Sequence, residues 1–424
     1  MTTQREELMQ RRATYLGPAY RLFYHQPKHF VRGENVWLYD VNGKRYLDAY
    51  NNVASVGHCH PAVVAALAAQ AAQLNTHTRY LHENVVDYAE KLLSTFPAAL
   101  GNVMFTCTGS EANDLALRIA TSTTRGQGII VTRNAYHGVT AALANISPSL
   151  DQRAALPPHV RVVDAPDSYR KSPAQAQADF TRDVQLAVLD LRQHAIPPAA
   201  LIVDTLFASD GIYPHPIGLL QGAVDAIHAA GGLFIADEVQ AGLARLGSHM
   251  WGFQRHGVLP DLVTVGKPMG DGHPIAAMIA RPHLLQEFGA RTRYFNTFAG
   301  NPVSAAVGLA VLNVIDDQRL QDNARTTGAY LLHGLRELAA EHEQIGDVRG
   351  AGLYAAVEIV SDKSAKSADG ATAAAIVNTL SDNGVLVGLC GQSAQVIKIR
   401  PPLTFNQAHA DQLLTILRQT LRNL

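Results

Sequence analysis

Short apolar runs alternate with longer helix-like segments from about residue 60 to residue 310. The short runs end at polar or small residues, as buried strands do, and the longer segments repeat their apolar positions with the spacing of amphipathic helices. This alternation predicts an α/β fold in which a mainly parallel sheet is covered by helices. The predicted strands are residues 103–107, 129–132, 160–163, 201–204, 233–237, 262–265 and 275–279.

A small hairpin is predicted before this block, over residues 33–51. Two strand-like stretches flank Asn42-Gly43 there, and an Asn-Gly pair in that setting is a strong signal for a tight β-turn. We therefore expect residues 1–60 to form an N-terminal segment with a small hairpin.

The chain after residue 317 has a mixed pattern. It predicts a helix over residues 319–343, strands over 353–359 and 396–399, and a polar loop over 361–369. We therefore predict a large α/β domain over residues 61–317 and a smaller α+β domain over residues 318–424.

The composition argues against several classes of protein. Hydrophobic residues make up 47% of the chain, and 35 basic side chains nearly balance 36 acidic ones, so we expect neither a nucleic-acid partner nor a membrane surface. The cysteines Cys59, Cys107 and Cys390 are an odd and widely spaced set, which favours free thiols over a disulfide framework. No apolar run reaches membrane length. We expect a soluble, cytoplasmic protein.

Two predicted strands end at charged side chains that are candidates for one site. One apolar run ends at Asp237, and thirty positions later the next ends at Lys267, an interval that fits one strand–helix–strand unit. A pyridoxal cofactor needs such a pair, because an amine forms a Schiff base with it and a carboxylate keeps its pyridine nitrogen protonated. Taken singly, such an aspartate is more often a helix cap, and such a lysine is more often a solvated surface charge.

The helix predicted after the first strand of the sheet begins with a glycine-containing segment, residues 108–113. The free backbone N–H groups and the dipole of such a helix suit a phosphate group. An ordinary helix start, capped by Ser110, is the alternative. Tyr136 follows the next strand, where its ring would either stack on a pyridine or simply pack.

Other ligand-binding motifs are not matched. Lys267 precedes a proline and lacks the glycine spacing of a P-loop, and the first strand lacks the glycine triad of a dinucleotide site. His58, Cys59 and His60 have no third ligand nearby in the sequence, so we expect a structural or substrate-loop role and no metal.

Taken together, these segments resemble the class III, or ornithine-aminotransferase-like, family of pyridoxal-phosphate enzymes from about Leu38 to the C-terminus. The matching motifs in chain order are Gly57-His58-Cys59-His60-Pro61, Thr108-Gly109-Ser110-Glu111-Ala112-Asn113, Tyr136-His137-Gly138, Asp237-Glu238-Val239-Gln240, Lys267, Asn296-Thr297-Phe298, Gly300-Asn301-Pro302 and Arg400-Pro401-Pro402-Leu403. The resemblance implies the type I fold of these enzymes, with a seven-stranded, mainly parallel sheet, flanking helices and a smaller α+β domain.

The resemblance also implies how the cofactor, pyridoxal 5′-phosphate, is bound. Lys267 would hold it as a Schiff base, and Asp237 would pair with its pyridine nitrogen. Gln240 would approach the ring hydroxyl, and Tyr136 would stack on the ring next to His137.

The same resemblance assigns the cofactor phosphate. Gly109 and Ser110 would hold it within one chain, and Thr297 would reach the phosphate of the neighbouring subunit. Each active site would then be shared, so the enzyme is expected to be at least a homodimer.

Within the family, the ethanolamine-phosphate phospho-lyases resemble this chain more specifically, at residues 51–54, 75–83 and 110–118. This likeness implies that O-phosphoethanolamine is converted to acetaldehyde, ammonia and phosphate by a carbon–oxygen lyase reaction.

A substrate phosphate would need cationic partners. Arg79 offers a planar fork of donors, and Lys28, Tyr20, His77 and Arg400 are the further candidates. For Arg79, Lys28, Tyr20 and His77, a surface or packing role is the alternative.

One departure from the family bears on the reaction. Class III aminotransferases commonly carry a glutamate on the strand before the aspartate strand, where this chain has Asp204. The shorter side chain weakens the case for transamination of two substrates, although Arg400 is retained and suits an α-carboxylate. A class III aminotransferase is therefore the alternative function, and a catalytically idle cofactor-binding protein is the third.

Overall fold

The computed structural model describes residues 4–51, 53–151 and 155–423, so Asn52 of the motif at residues 51–54 lies outside the described residues. The helices are α1 Gln4–Leu16, α2 Pro61–Ala71, α3 Glu83–Leu93, α4 Gly109–Thr124, α5 Ala141–Ala144, α6 Pro173–Gln193, α7 Gln221–Ala229, α8 Gly252–Arg255, α9 Pro282–Arg291, α10 Pro302–Asp317, α11 Leu320–Glu341, α12 Gly370–Asp382 and α13 Gln407–Arg422, with a 3₁₀ turn at Lys267–Gly270. The strands are β1 Phe30–Glu34, β2 Trp37–Asp40, β3 Arg45–Asp48, β4 Asn102–Thr106, β5 Gly128–Thr132, β6 Val160–Val163, β7 Pro198–Asp204, β8 Leu233–Asp237, β9 Leu262–Val265, β10 Ala276–Ala280, β11 Ile345–Gly350, β12 Ala355–Asp362, β13 Ser367–Ala368, β14 Val385–Leu386, β15 Gly388–Cys390 and β16 Val396–Ile399. Over the described ranges, none of the helices combines the length and the apolarity that a membrane span requires.

The central sheet has seven strands in the order β4-β10-β9-β8-β7-β5-β6. Its neighbouring strands are parallel except for β10, which is antiparallel to both β4 and β9. The prediction of an α/β fold with a mainly parallel seven-stranded sheet is confirmed. Six of the predicted strands differ from the observed ones by at most one residue at either end, and β7 begins earlier than predicted, at Pro198.

Both faces of this sheet are buried, which explains why its strands are almost continuously apolar. On β7, Leu201 and Val203 pack into the main core. Ala200 and Ile202, which alternate with them, pack into a second core on the opposite face. Because helices cover both faces, ligands can reach the sheet only at its edges and at the ends of its strands.

The N-terminal hairpin is confirmed, since β2 pairs antiparallel with β3. Its outer neighbour β1 was not predicted, and β3 also pairs in parallel with the short strand β14 from the C-terminal part of the chain. The loop predicted over residues 361–369 is shorter in the structure, because β12 continues to Asp362 and the chain returns as β13 after a turn over residues 363–366. The division into residues 1–60, 61–317 and 318–424 stays a prediction.

The two histidines of the Gly57–Pro61 motif have structural contacts. His58 Nε2 lies 2.7 Å from Asp48 Oδ2, and the His60 side chain accepts a hydrogen bond from Ala62 N at the start of α2. Each histidine therefore helps to fix the chain between the hairpin and α2.

Candidate active site

The candidate site is a cavity at the carboxyl edge of the central sheet. The ends of β4, β5, β7, β8 and β9 meet there because these strands run in the same direction. The cavity has a volume of about 160 Å³ and is lined by Thr108, Gly109, Ser110, Asn113, Tyr136, His137, Gly138, Asp204, Asp237, Val239, Gln240 and Lys267.

Lys267 enters the cavity directly after β9, at the first residue of the 3₁₀ turn. Its Nζ lies 5.9 Å from the centre of the Tyr136 ring. Burial, and then the positive charge of Arg400, lower the pKa of Lys267 to about 8, although Asp237 acts in the opposite direction. More of this amine is therefore uncharged and nucleophilic near neutral pH than of an ordinary lysine.

Asp237 ends β8 and is almost fully buried. Its Oδ2 lies 2.8 Å from His137 Nδ1 and accepts a hydrogen bond of 2.9 Å from Asn113 Nδ2, and its Oδ1 accepts one of 3.1 Å from Val239 N. Burial alone would raise the pKa of Asp237, but the hydrogen bonds and the His137 ring outweigh it and hold the pKa below its usual range. The cavity therefore contains a carboxylate that stays ionised at neutral pH.

Asn113 is a site residue to which the sequence analysis assigned no role. Besides its bond to Asp237, its Nδ2 donates to His137 O at 2.8 Å, and its Oδ1 accepts from Thr264 Oγ1 at 2.6 Å. These contacts tie α4 to β8 and β9 and fix the orientation of the carboxylate. A polar residue on the buried, otherwise apolar face of α4 was the available signal.

The N-terminus of α4 forms another wall of the cavity. Thr108, not Ser110, is the N-cap, and it makes a capping box with Glu111. The cap leaves the N–H groups of Gly109 and Ser110 without acceptors inside the helix, as helix geometry requires. Gly138 packs against this end, since a Cβ at that position would lie 2.5 Å from Ser110 Oγ. Two backbone donors at a helix N-terminus make this wall suitable for an anion.

Arg400 lies next to the cavity and contacts it through Gln240. Its guanidinium donates to Gln240 Oε1, to Tyr354 Oη at 3.4 Å and to Tyr50 O at 3.3 Å. Gln240 Nε2 in turn donates to Asp204 Oδ2 at 3.4 Å. Burial, and then Asp237, raise the pKa of Asp204 to about 6.

The structure of one chain does not bring the other predicted phosphate ligands to this cavity. Lys28 forms an ion pair of 2.8 Å with Asp382, and Tyr20 is exposed, with the Arg12 guanidinium 6.0 Å from its ring. Lys28 therefore contacts the end of α12 and Tyr20 contacts α1, so neither reaches the cavity of its own chain, and their role at the substrate phosphate stays a prediction.

Arg79, His77 and Thr297 lie together on another surface. The Arg79 guanidinium is 3.7 Å from the centre of the Phe295 ring, and the His77 ring packs edge-on against the same ring at 5.7 Å. Thr297 is exposed two residues further along this loop. These three side chains do not line the cavity of their own chain.

Comparison with known proteins relates this chain to one family of enzymes. A family model described as aminotransferase class III matches residues 24–421. An alanine–glyoxylate aminotransferase 2-like protein of Drosophila melanogaster is 41% identical over 428 residues, which cover 98% of this chain and 87% of that protein. Ethanolamine-phosphate phospho-lyase homolog 1 of Caenorhabditis elegans is 35% identical over 437 residues, which cover 98% and 93%. The solved structure of a phospholyase from Arthrobacter in complex with phosphoethanolamine is 42% identical with a TM-score of 0.96, covering 98% of this chain and 100% of that chain.

Enzymes of the matched family depend on pyridoxal phosphate, and the residues of the cavity fit this cofactor. A half-buried amine, an ionised carboxylate, an aromatic ring and a helix N-terminus line one cavity. These groups match the aldehyde, the pyridine nitrogen, the ring face and the phosphate of the cofactor. The chain therefore belongs to the class III aminotransferase family of pyridoxal-phosphate-dependent enzymes.

Proposed function

We propose that this protein is a phospho-lyase that converts O-phosphoethanolamine and water to acetaldehyde, ammonia and phosphate. The likeness over the full length of both chains to the Arthrobacter phospholyase, whose structure contains phosphoethanolamine, is the observation that carries the proposal. The carbon–oxygen bond breaks with its electron pair on the phosphate oxygen, and water then hydrolyses the released two-carbon enamine to the aldehyde and ammonia.

The surroundings of Arg400 support elimination over transamination of two substrates. The acceptors of its hydrogen bonds are neutral, namely Gln240, Tyr354 and the Tyr50 carbonyl. Asp204, at the position where transaminases commonly have a glutamate, hydrogen-bonds to Gln240 and forms no ion pair with Arg400. Arg400 therefore keeps its positive charge for an anionic substrate group and does not alternate between an acid and a substrate.

We propose that Lys267 and Asp237 carry the chemistry. The cofactor, when bound, supplies an electron sink for the carbon next to the substrate nitrogen. Lys267 Nζ would hold the cofactor and, once the substrate amine has taken its place, would act as the base that takes the proton from that carbon, a task that its pKa of about 8 suits. Asp237 stays ionised and would keep the ring nitrogen protonated.

The remaining residues of the cavity are proposed to position the cofactor. Tyr136 would stack on the ring, and the bond of the neighbouring His137 to Asp237 orients the carboxylate. Gln240, which accepts a hydrogen bond from Arg400, would bind the ring hydroxyl. Gly109 and Ser110 would donate their backbone N–H groups to the phosphate.

We propose that two copies of the chain share each site. Phe298, beside Thr297, is 73% exposed, and Leu81, near Arg79, is fully exposed. Arg79 and the loop with Thr297 are in contact through Phe295. Large apolar side chains grouped around polar candidates mark a surface that a partner covers. In the proposed homodimer, Thr297 reaches the cofactor phosphate of the partner, and Arg79 and His77 approach the substrate phosphate there.

A class III aminotransferase is the second candidate function. The name of the Drosophila relative supports it, and an arginine such as Arg400 also suits an α-carboxylate. The two candidates share Lys267 and Asp237 and differ in what leaves the substrate.

We also propose a cytoplasmic location. Cys59, Cys107 and Cys390 are free thiols in the structure. Free thiols persist in reducing compartments, of which the cytoplasm is one.

One assay separates the candidate functions. The purified holoenzyme is incubated with O-phosphoethanolamine alone and, in a second reaction, with an amino donor and pyruvate. We expect equal amounts of phosphate and acetaldehyde in the first reaction, because elimination needs no keto acid. Formation of alanine in the second reaction without phosphate release in the first would replace the lyase by the aminotransferase, and no product in either would leave an idle cofactor-binding protein.

The lowered pKa of Lys267 predicts how cofactor attachment depends on pH. Only the uncharged amine reacts with the aldehyde, so the initial rate of attachment to the cofactor-free protein should rise with pH, with a midpoint near pH 8. Free N-acetyl-lysine, whose amine titrates at about 10.4, is the control that corrects for the ionisation of the aldehyde reagent. Absorbance after rapid mixing measures both rates, and coincident midpoints for protein and control would refute the predicted shift.

A further inference from the structure

Lys398 and Arg400 point to the same face of the C-terminal sheet. They are two residues apart at the end of β16, and alternate residues of a strand share a face. Ile397 and Ile399, between and beside them, pack into the main core. Val396, on the face of Lys398, packs instead into a separate small cluster that includes Tyr354 and Cys390.

The positions next to Lys398 in the sheet carry small residues. Its direct neighbours across the sheet are Ala356 on β12 and Gly388 on β15, both small. The Tyr50 ring lies over Gly388, where a Cβ would come within 2.5 Å of it. The same ring has the Arg400 guanidinium 5.3 Å from its centre, so Tyr50 lies beside both Arg400 and the strand position next to Lys398.

Both cations are buried without a balancing carboxylate. Lys398 is 8% exposed and Arg400 4%, and neither forms an ion pair within the described parts of the chain. Arg349 shows the contrast, since it is equally buried but pairs with Asp347 and Glu358 at 2.8 and 2.7 Å. A buried charge without a counter-charge is costly, so this pair of cations indicates a site for an anion.

The ionisable groups around Lys398 relate it to the cavity. They are Cys390 on β15, Arg400, Asp204 at the end of β7 and Lys267. Burial has the largest effect and lowers the pKa of Lys398. The Cys390 thiol acts in the opposite direction, and the charge of Arg400 lowers the pKa further. Asp204 is the one carboxylate in this set. When both Lys398 and Arg400 are protonated, its single negative charge cannot balance them, and the net charge of the set is positive.

We propose that Lys398, together with Arg400, binds the phosphate group of the substrate. This inference rests on the proposed phospho-lyase function. It adds a phosphate-binding residue, Lys398, that the sequence analysis did not include. Two cations match the two negative charges of a phosphate monoester, with Arg400 offering a fork of donors and Lys398 a compact ammonium. Breaking the carbon–oxygen bond leaves the electron pair on the phosphate oxygen, and Lys398 stabilises the additional negative charge of the leaving group.

The test compares Lys398→Met and Lys398→Arg with the wild-type holoenzyme. Inorganic phosphate is the probe, and its binding is measured by calorimetry. We expect Lys398→Met to bind phosphate about 10-fold more weakly or worse, because a charge-assisted hydrogen bond is lost, and to lose at least about 10-fold in kcat/KM for O-phosphoethanolamine. Lys398→Arg should recover most of both losses, and cofactor content should not change in either variant. Lys171→Met, at a surface ion pair with Asp179, is the matched control and should behave as wild type.

A measurement on the wild type alone keeps the inference testable if Lys398→Met fails to fold. At about pH 7.5, where phosphate is mainly a dianion, phosphate should bind about 10-fold or more tightly than acetate. Equal binding of the two anions would overturn the inference, as would phosphate binding and kcat/KM in a folded Lys398→Met that match the wild type. If the wild type binds phosphate through Lys398 but releases none from O-phosphoethanolamine, the proposed function fails and the anion site stands.

Discussion

Replacement of Lys267 by arginine is expected to give a folded protein that no longer attaches the cofactor covalently. Arginine keeps the positive charge but its guanidinium does not react with the aldehyde, and it does not act as a base near neutral pH. Phosphate release should fall by about 10³-fold or more, because loss of a general base alone costs about 10²–10⁴-fold. The measurement is borohydride reduction of the yellow holoenzyme, followed by mass spectrometry of its peptides.

In the wild type, a pyridoxyl group should appear at Lys267, and in Lys267→Arg it should be absent. Lys171→Arg is the matched control, because it makes the same chemical change at a surface ion pair with Asp179. Circular dichroism of the variant distinguishes loss of attachment from loss of folding. A pyridoxyl group found at a different lysine of the wild type would show that Lys267 has been assigned wrongly.

The ends of the central strands were predictable because the information is local. On β8 and β9, an apolar run stops where the chain leaves the buried sheet, and Asp237 and Lys267 stand at or just after those stops. The order of the strands depends on contacts between distant segments, which a single sequence does not show. The antiparallel direction of β10 is of this kind, since nothing in its apolar run distinguishes it from its parallel neighbours.

Most of the residues predicted to hold the cofactor line one cavity, whereas those predicted to bind the substrate phosphate do not, and the reason is physical. Motifs around the cofactor lie at the starts and ends of elements of one sheet, so the fold alone brings them together. Lys28 shows the difference, because its partner Asp382 lies 354 residues away on another element. Lys398 was overlooked although a lysine within an apolar strand run is itself a signal.

Replacement of Asp237 by asparagine is expected to preserve the fold and cofactor attachment but to lower kcat by about 10²–10³-fold, the loss typical of removing one preorganised electrostatic contact. The asparagine keeps the size of the side chain and removes its charge. The ring nitrogen then has no carboxylate to keep it protonated, and the electron sink is weaker. Because the pKa of Asp237 lies below its usual range, the wild-type carboxylate is charged throughout the neutral range, so its titration should not change the ratio of the wild-type kcat to the variant kcat there.

Asp261→Asn is the control that separates this electrostatic role from a structural one. Asp261 is a buried aspartate at the opposite end of the sheet, just before β9, and its Oδ2 lies 2.7 Å from His228 Nε2, much as Asp237 contacts His137 at 2.8 Å. Removing either charge should lower the melting temperature, because each leaves a histidine and a backbone N–H with a weaker acceptor. Only Asp237→Asn should lower kcat per mole of bound cofactor and change the absorbance of the cofactor. If both variants lose activity in proportion to their stability, Asp237 supports the fold and does not set the charge of the ring.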